Sequence, residues 1–352
     1  MLTPKERTLR ALRFERPDRL PKADFYWSEF EAIARKRRAI PPGVSLEEHY
    51  AVDMGLLFPD EGPYTTRAGT VRETDTERIR ITPWGQKVRE VKGAFFSEEL
   101  ESPIREQKDL DRQPFDPPML PSRYEHFLDP SVYHPDKLCY FVKTGGPYLR
   151  SAFVRGQTEW LMDIAGDEGF AKELAWRMGD FLMQVGREAF KRWGDTSTGV
   201  WIFDDMASNR GPMFSPESFE RILLPAYRHM VKSWKEAGAS YVLLHSDGNI
   251  EVLLDMLIEA GIDGFNPVEP RSGMDLARLH EKYGKRAAFI GGMCNSVVLP
   301  RGPVEKVREQ AERIIAAGRD GGVIIGAHSI GPDIPVEHYE AYVELVNSSR
   351  YE

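Results

Sequence analysis

From residue 138 onward, short apolar runs alternate with longer stretches in which apolar side chains recur every three or four positions. That rhythm predicts strands over 138–143, 199–203, 241–244, 264–269, 287–290 and 323–325. Helices are predicted over 158–193, from Ser215 to near Gly238, and over 250–260, 275–283 and 304–317. Upstream, 19–27 and 54–58 read as two further strands, separated by a helical stretch carrying Glu29 to Arg38. The chain opens on a helix start, with Thr3 as N-cap, Pro4 at the first helical position and Glu6 at the capping-box position. Eight strand candidates separated mostly by helices, each short and apolar on both faces, predict a (β/α)8 TIM barrel of the α/β class. An open doubly wound sheet would need a phosphate fingerprint such as GxGxxG after an early strand, and none is present.

Between about 64 and 121 the pattern changes to short alternating pieces with charges and turns. Residues 78–82 and 86–91, around Pro83-Trp84-Gly85, predict a β-hairpin. Its apolar runs are too short to form a core alone. The segment therefore reads as a hairpin-containing insertion after the second strand, shielding the barrel within one domain over 1–352.

Composition narrows the function class. With 41% hydrophobic and 29% charged residues, the 352-residue chain is of ordinary globular composition and can bury a sizeable core. Net charge is −8, and the longest basic block, Arg35-Lys-Arg-Arg38, reads as a solvated helix end. No nucleic-acid footprint is visible, so a small-molecule substrate is expected. Two cysteines, Cys139 and Cys294, give neither a disulfide framework nor a CxxC metal knuckle, which fits a reducing cytoplasm. The first ten residues are charged where a signal peptide would be apolar, and no apolar run approaches the ~20 residues that span a bilayer. A cytoplasmic protein with no membrane contact is expected.

In a barrel of this kind, polar residues where strands run into the following helices are the candidate functional groups. Here they are Asp60, Tyr148, Arg150, Asp204, Asp205, His245, Asp247, Glu269, Asn295 and His328, with Trp27 at the end of the first strand. His245, Asp247, Glu269 and His328 come from strands five, six and eight, and are ligand types for Zn2+ or, in a more open geometry, another divalent metal. Bland readings stand beside these. Asp247 before Gly248-Asn249 equally suits an N-cap, Glu269 a solvated loop, and a lone buried histidine is more often a satisfied core residue. Asp204 and Asp205 are turn formers on that view, yet adjacent carboxylates at a strand end are costly without a cation, a donor set or a raised pKa. Tyr148, Arg150, Trp27 and Asn295 are expected to line a substrate pocket.

Five motifs, in order along the chain, carry a resemblance. They are the opening from Thr3 to Pro21, the segment from Asp204 to Pro216, His245-Ser-Asp-Gly248, Gly291-Gly292, and Gly326-Ala-His-Ser-Ile-Gly-Pro-Asp-Ile-Pro335. Together they resemble the uroporphyrinogen decarboxylase superfamily, which also contains the corrinoid:thiol methyltransferases. The resemblance implies a (β/α)8 barrel. Its decarboxylase branch implies an arginine-rich N-terminal motif gripping substrate carboxylates and an aspartate after the second strand. Phe58-Pro-Asp60 looks like that aspartate, but after Leu20-Pro21 the chain reads Lys-Ala-Asp-Phe-Tyr-Trp, without paired arginines. The methyltransferase branch implies zinc held by a His-x-Cys pair after strand five, an acid after strand six and a late cysteine. His245 and Glu269 match in place, Asp247 replaces the first cysteine, and His328 stands at or one residue from the second.

That branch therefore implies metal-dependent methyl transfer, with Zn2+ as the metal; Asp204 and Asp205 would orient the substrate or support the metal shell, and with Asp60, from the decarboxylase likeness, they are the catalytic candidates. Nitrogen and carboxylate ligands make a harder site than thiolates, so polarising an oxygen or methoxyl group becomes plausible chemistry. The chain lacks an Asp-x-His-x-x-Gly corrinoid motif, so a corrinoid would arrive on a partner protein. The alternatives are a metal-free decarboxylase of a tetrapyrrole or smaller carboxylate, using Asp60 and His328, and a non-catalytic corrinoid- or tetrapyrrole-binding scaffold.

Overall fold

Eight parallel strands make one sheet in which almost every neighbour in space is a neighbour in sequence. They are β1 (Lys22–Tyr26), β2 (Met54–Leu57), β3 (Cys139–Gly145), β4 (Gly199–Phe203), β5 (Tyr241–His245), β6 (Gly264–Asn266), β7 (Ala288–Gly292) and β8 (Val323–Ile330). The computed structural model describes residues 1–94, 97–129, 133–134 and 136–351. The ladder runs β1-β8-β7-β6-β5-β4-β3-β2, so pairing of β8 with β1 wraps the sheet into the predicted barrel.

Period-2 alternation points Ala23, Met54, Phe141, Trp201, Leu243, Ile290 and Ile324 inward, where they form one buried cluster. Ala11 and Leu12 of the N-terminal helix Pro4–Leu12 join it and close the lower end. The capping box that starts this helix is formed: Glu6 N–H donates to Thr3 Oγ1 (3.2 Å) and Thr3 N–H to Glu6 Oε2 (2.9 Å).

Between β1 and β2 the ladder gives way to a side chain. Asp53 N–H donates to Lys22 O (2.9 Å), and the buried Asp53 carboxylate accepts from Lys22 N–H (2.8 Å), Arg7 Nη1 (2.6 Å) and Arg19 Nη1 (2.8 Å). One carboxylate thus ties both edge strands to the N-terminal helix. On the other side of β1, buried Asp24 accepts from Ala327 N–H (2.7 Å) and from the hydroxyls of Tyr339 and Tyr342 (3.0 Å each). These tyrosines lie on the helix Val336–Ser348, an element beyond the last predicted strand.

The insertion is larger than the predicted hairpin. Strands Glu77–Ile81 and Lys87–Val91 pair antiparallel as expected, and Gly69–Glu73 and Glu98–Glu101 flank them in a four-stranded sheet. The outer strands are solvent-exposed and charged, so they lack the alternation that identifies a half-buried strand. A second departure is the helix Pro147–Arg155, in a stretch read as the end of a strand. Tyr148 and Arg150 consequently project from a helix. β8 also runs to Ile330, beyond the predicted 325, and carries His328 within it. Among the described residues, no helix is long and apolar enough to cross a membrane.

Because Asp53 is the shared partner of two buried guanidinium groups, Asp53→Ala is expected to lower unfolding stability by about 3–5 kcal/mol, since Arg19 loses its carboxylate partner and Arg7 keeps only Asp18. Urea denaturation followed by circular dichroism measures this directly.

Candidate metal centre

The apolar run of β5 buries its main chain and delivers His245 to the barrel mouth, level with Phe203 on β4 and Asn266 on β6. His245 is 8% exposed. Its Nδ1 lies 2.6 Å from Asn266 Oδ1, and Asn266 Nδ2 donates to Ile290 O (3.3 Å). That second bond fixes the carboxamide, so its oxygen faces the imidazole and must accept from Nδ1–H. The network therefore assigns the proton to Nδ1 and leaves the Nε2 lone pair facing the mouth. Phe203 stacks on the ring at 4.4 Å with planes 15° apart. Burial pushes the His245 pKa down, favouring the neutral form that ligates metals.

Past β5 the chain turns at Gly248, whose φ is +82°. A Cβ there would stand 2.6 Å from both Ala207 O and Ser208 O, so glycine is required for the loop to pass beneath the small hairpin formed by Ala207–Ser208 and Gly211–Pro212. The loop's amides organise the acids around it. Asp247 N–H donates to Asp205 Oδ1 (3.1 Å) and Gly248 N–H to Glu269 Oε2 (2.7 Å), which also accepts from Ser272 Oγ (3.1 Å).

At the centre lies Asp247 Oδ1. It is buried, makes no hydrogen bond of acceptable geometry, and sits 3.5 Å from His245 Nε2 and 3.3 Å from His328 Nε2. Asp205 Oδ1 is also 3.5 Å from His245 Nε2. The donor atoms of Asp205, His245 and Asp247 lie within 4.8 Å of one another, as do those of Asp247, Glu269 and His328.

These spacings have a chemical meaning. Four ligands at about 2.0–2.1 Å from a tetrahedral ion stand about 3.3–3.4 Å apart, whereas octahedral neighbours at similar bond lengths stand about 2.9–3.0 Å apart. The 3.3 Å separation falls on the tetrahedral edge, and the two at 3.5 Å lie just above it. Two backbone outliers flank the cluster: His328 has φ +46°, and Val268, just before Glu269, has φ +53°. For non-glycine residues, and a β-branched one above all, these conformations are costly, and such strain gathers at functional sites.

The other candidate residues fall elsewhere. Asp204 is fully buried and turned away from the cluster, accepting from Tyr148 N–H (3.0 Å), Leu149 N–H (2.6 Å) and the Tyr227 hydroxyl. It docks the start of the helix Pro147–Arg155, and burial raises its pKa to about 6. Tyr148 is buried, its hydroxyl accepting from Gln157 Nε2 (3.0 Å). Asp60 closes a turn by accepting from Gly62 N–H (2.9 Å). Its neighbour Glu61 turns inward instead, accepting from Arg150 Nε (3.0 Å) and Nη2 (2.6 Å) and from Lys143 Nζ. Trp27 Nε1 donates to Ser329 Oγ (2.7 Å) and Asn295 Nδ2 to Ser329 O (3.3 Å), so both stand on the rim beside His328.

Asn266, Glu61 and Lys143 stand beside the candidate residues and were passed over by the linear reading. The signals in the sequence were an asparagine closing the short run Gly264-Phe265 and a lysine at the end of the apolar run 138–142.

Comparison with known proteins agrees with this architecture. Residues 85–349 match the family described as Uroporphyrinogen decarboxylase (URO-D). A stretch of 144 residues is 26% identical to a methylcobamide:CoM methyltransferase MtaA of Methanosarcina barkeri, covering 41% of this chain and 40% of that protein. Another of 152 residues is 25% identical to a uroporphyrinogen decarboxylase of Carboxydothermus hydrogenoformans, covering 42% and 40%. The matched stretches thus span well under half the length of these curated relatives. A methyltransferase from Methanosarcina mazei has the same fold, with a TM-score of 0.69 over 99% of both chains at 18% identity.

Asn266→Ala is expected to weaken zinc binding by about 10–100-fold, as loss of an orienting partner does at other metal sites, measured by competition with a chromophoric chelator. Glu61 supplies a pH signature. Burial alone would raise its pKa, but Arg150 and Lys143 hold it at about 2, below the ordinary 4.5. As pH falls below 4.5 the unfolded chain takes up a proton that native Glu61 refuses, so this contribution, complete above 4.5, is lost as pH approaches 2. Glu61→Gln should flatten the acid limb of stability in denaturation series between pH 5 and 2.

Proposed function

The chain belongs to the uroporphyrinogen decarboxylase family, and on that premise we propose that it is a metal-dependent methyltransferase acting on a small molecule, with a corrinoid carried by a partner protein. The observation that carries this reading is Asp247 Oδ1, buried between two imidazole nitrogens, His328 Nε2 at 3.3 Å and His245 Nε2 at 3.5 Å. Methyltransferases among the similar proteins support it.

His245, Asp247 and His328 would hold the ion, with Asp205 or Glu269 as a further carboxylate ligand. Zinc fits this donor set and spacing, and when bound it supplies Lewis acidity harder than that of a thiolate site, suited to polarising an oxygen-bearing substrate or activating an acceptor. The chain's own residues prepare the place. Asn266 fixes the His245 tautomer, burial keeps the imidazole neutral, and the Gly248 amide positions Glu269. Asp204 and Tyr148 act at one remove, seating the helix that carries Arg150. Trp27 and Asn295 form part of the rim over which substrate and partner approach. The decarboxylase reading needs Asp60 beside His328, and Asp60 is engaged in its own turn.

Protein purified without chelators should contain about one zinc per chain by atomic emission, and His245→Ala and His328→Ala should each lose most of it while keeping the native circular dichroism spectrum. With free methylcobalamin and a thiol or hydroxyl acceptor, wild type should bleach the methylcobalamin spectrum and both variants should not. Absence of stoichiometric metal, with uptake unchanged in His245→Ala, overturns the proposal.

A further inference from the structure

Within β8 the strand changes faces, and the change falls on His328. Ile324 lies in the cluster inside the barrel, so alternation would put Ile330, six residues on, on the same side. It packs instead in the core outside the barrel. The register against β1 shows where the extra residue enters: Lys22 pairs with Ile325 and Asp24 with His328, so Gly326 and Ala327 together stand opposite Ala23. This is a β-bulge, followed at once by the left-handed backbone of His328. Gly326 permits the close pass, since a Cβ there would stand 2.1 Å from Ala23 O.

A bulge takes a main-chain donor out of the ladder, and a buried donor then needs another acceptor. Ile325 N–H still donates to Pro21 O (3.0 Å), but Ala327 N–H, the next donor on that edge, donates to Asp24 Oδ1 (2.7 Å). A side chain thus replaces the ladder at the residue before His328. Ala23 faces the barrel interior, so Asp24 points outward, against the helix Val336–Ser348. It is 1% exposed and touches neither the mouth nor the cluster there. Asp24 Oδ2 accepts from Tyr339 and Tyr342, three residues apart on one face of that helix. A phenol has one hydrogen, so Tyr339, whose own points at Asp24, accepts from the Tyr26 hydroxyl (2.6 Å). Every donor in this set has its acceptor.

Without Asp24, regular pairing onward from Lys22 and Ile325 would return Ala327 N–H to the ladder. His328 would then stand opposite Phe25 rather than Asp24, a slip of one residue or about 3.3 Å along the strand. We propose that Asp24 is a positioning residue for His328: by accepting the amide that the bulge frees, it fixes the bulge and the left-handed turn that bring the imidazole to 3.3 Å from Asp247. The consequence for metal binding rests on the metal-centre reading; control of the bulge does not.

Two variants separate the acceptor from the bulk of the side chain. Asp24→Asn keeps an oxygen for Ala327 N–H, and Asp24→Leu does not. In crystal structures of the metal-free proteins, Asp24→Asn should keep His328 at positive φ, and Asp24→Leu should carry it into the extended region opposite Phe25. An intact bulge with left-handed His328 in Asp24→Leu overturns the proposal. Competition with a chromophoric chelator should show zinc bound about 10–100-fold more weakly by Asp24→Leu and as in wild type by Asp24→Asn. In a His328→Ala background Asp24→Leu should cause no further loss. Equal losses in both backgrounds, or in Asp24→Asn and Asp24→Leu alike, mark a general structural role and also overturn it. Should Asp24→Leu not fold, Asp24→Ser, whose hydroxyl is one atom too short to reach Ala327, replaces it throughout. If wild type takes up no zinc, the metal-centre reading falls, and the crystal structures alone decide whether Asp24 positions His328.

Discussion

Closing a parallel sheet into a barrel leaves its first and second strands to meet last, and here they meet through a side chain. Asp53 stands in for the missing ladder by accepting a β1 amide and two arginines while its own amide donates back to β1. Burying that carboxylate is tolerable only because its donors are buried with it. The arrangement holds the N-terminal helix under the barrel and keeps the strand ends on one rim. Everything proposed for the mouth depends on that rim, because the candidate ligands come from the ends of β4, β5, β6 and β8.

On the rim, charge is segregated. Carboxylates and imidazoles gather where β4, β5, β6 and β8 end, and two cations sharing one carboxylate gather at β2 and β3, with Phe203 between the groups. The carboxylates nearby divide by environment. Asp204 is buried against two amides and a hydroxyl and is pushed up to about 6, whereas Glu61 is buried against two cations and is held at about 2. Burial acts on both in the same direction, and the partner's charge decides the outcome. The strain at Val268 and His328 adjoins the candidate ligands, as expected where packing holds side chains for a purpose other than stability.

Local pattern was informative wherever local physics decided. The capping box at Thr3 and Glu6 formed as its spacing implied, and the central hairpin of the insertion paired as its alternation implied. It misled where tertiary contacts decided. The helix Pro147–Arg155 follows a strand without a turn signal other than Gly146-Pro147, and its start is stabilised by Asp204, more than 50 residues away in sequence. Gly146 allows this approach, since a Cβ there would stand 2.3 Å from the Asp204 carboxylate.

The sequence by itself determined the eight strands, most of their helices and the set of donor residues at the strand ends, because hydrophobic periodicity and capping are properties of neighbouring residues. The tertiary structure alone decided which member of each adjacent pair faces the mouth. Asp205 and Glu61 turn inward, while Asp204 and Asp60 bind nearby main chain. It alone also supplied Asn266 as the partner that sets the His245 tautomer, and the 3.3–3.5 Å spacing around Asp247. A side chain's direction at a strand end depends on where the barrel axis lies, and a distance between atoms on different loops depends on barrel closure, so neither is encoded in any one stretch of chain.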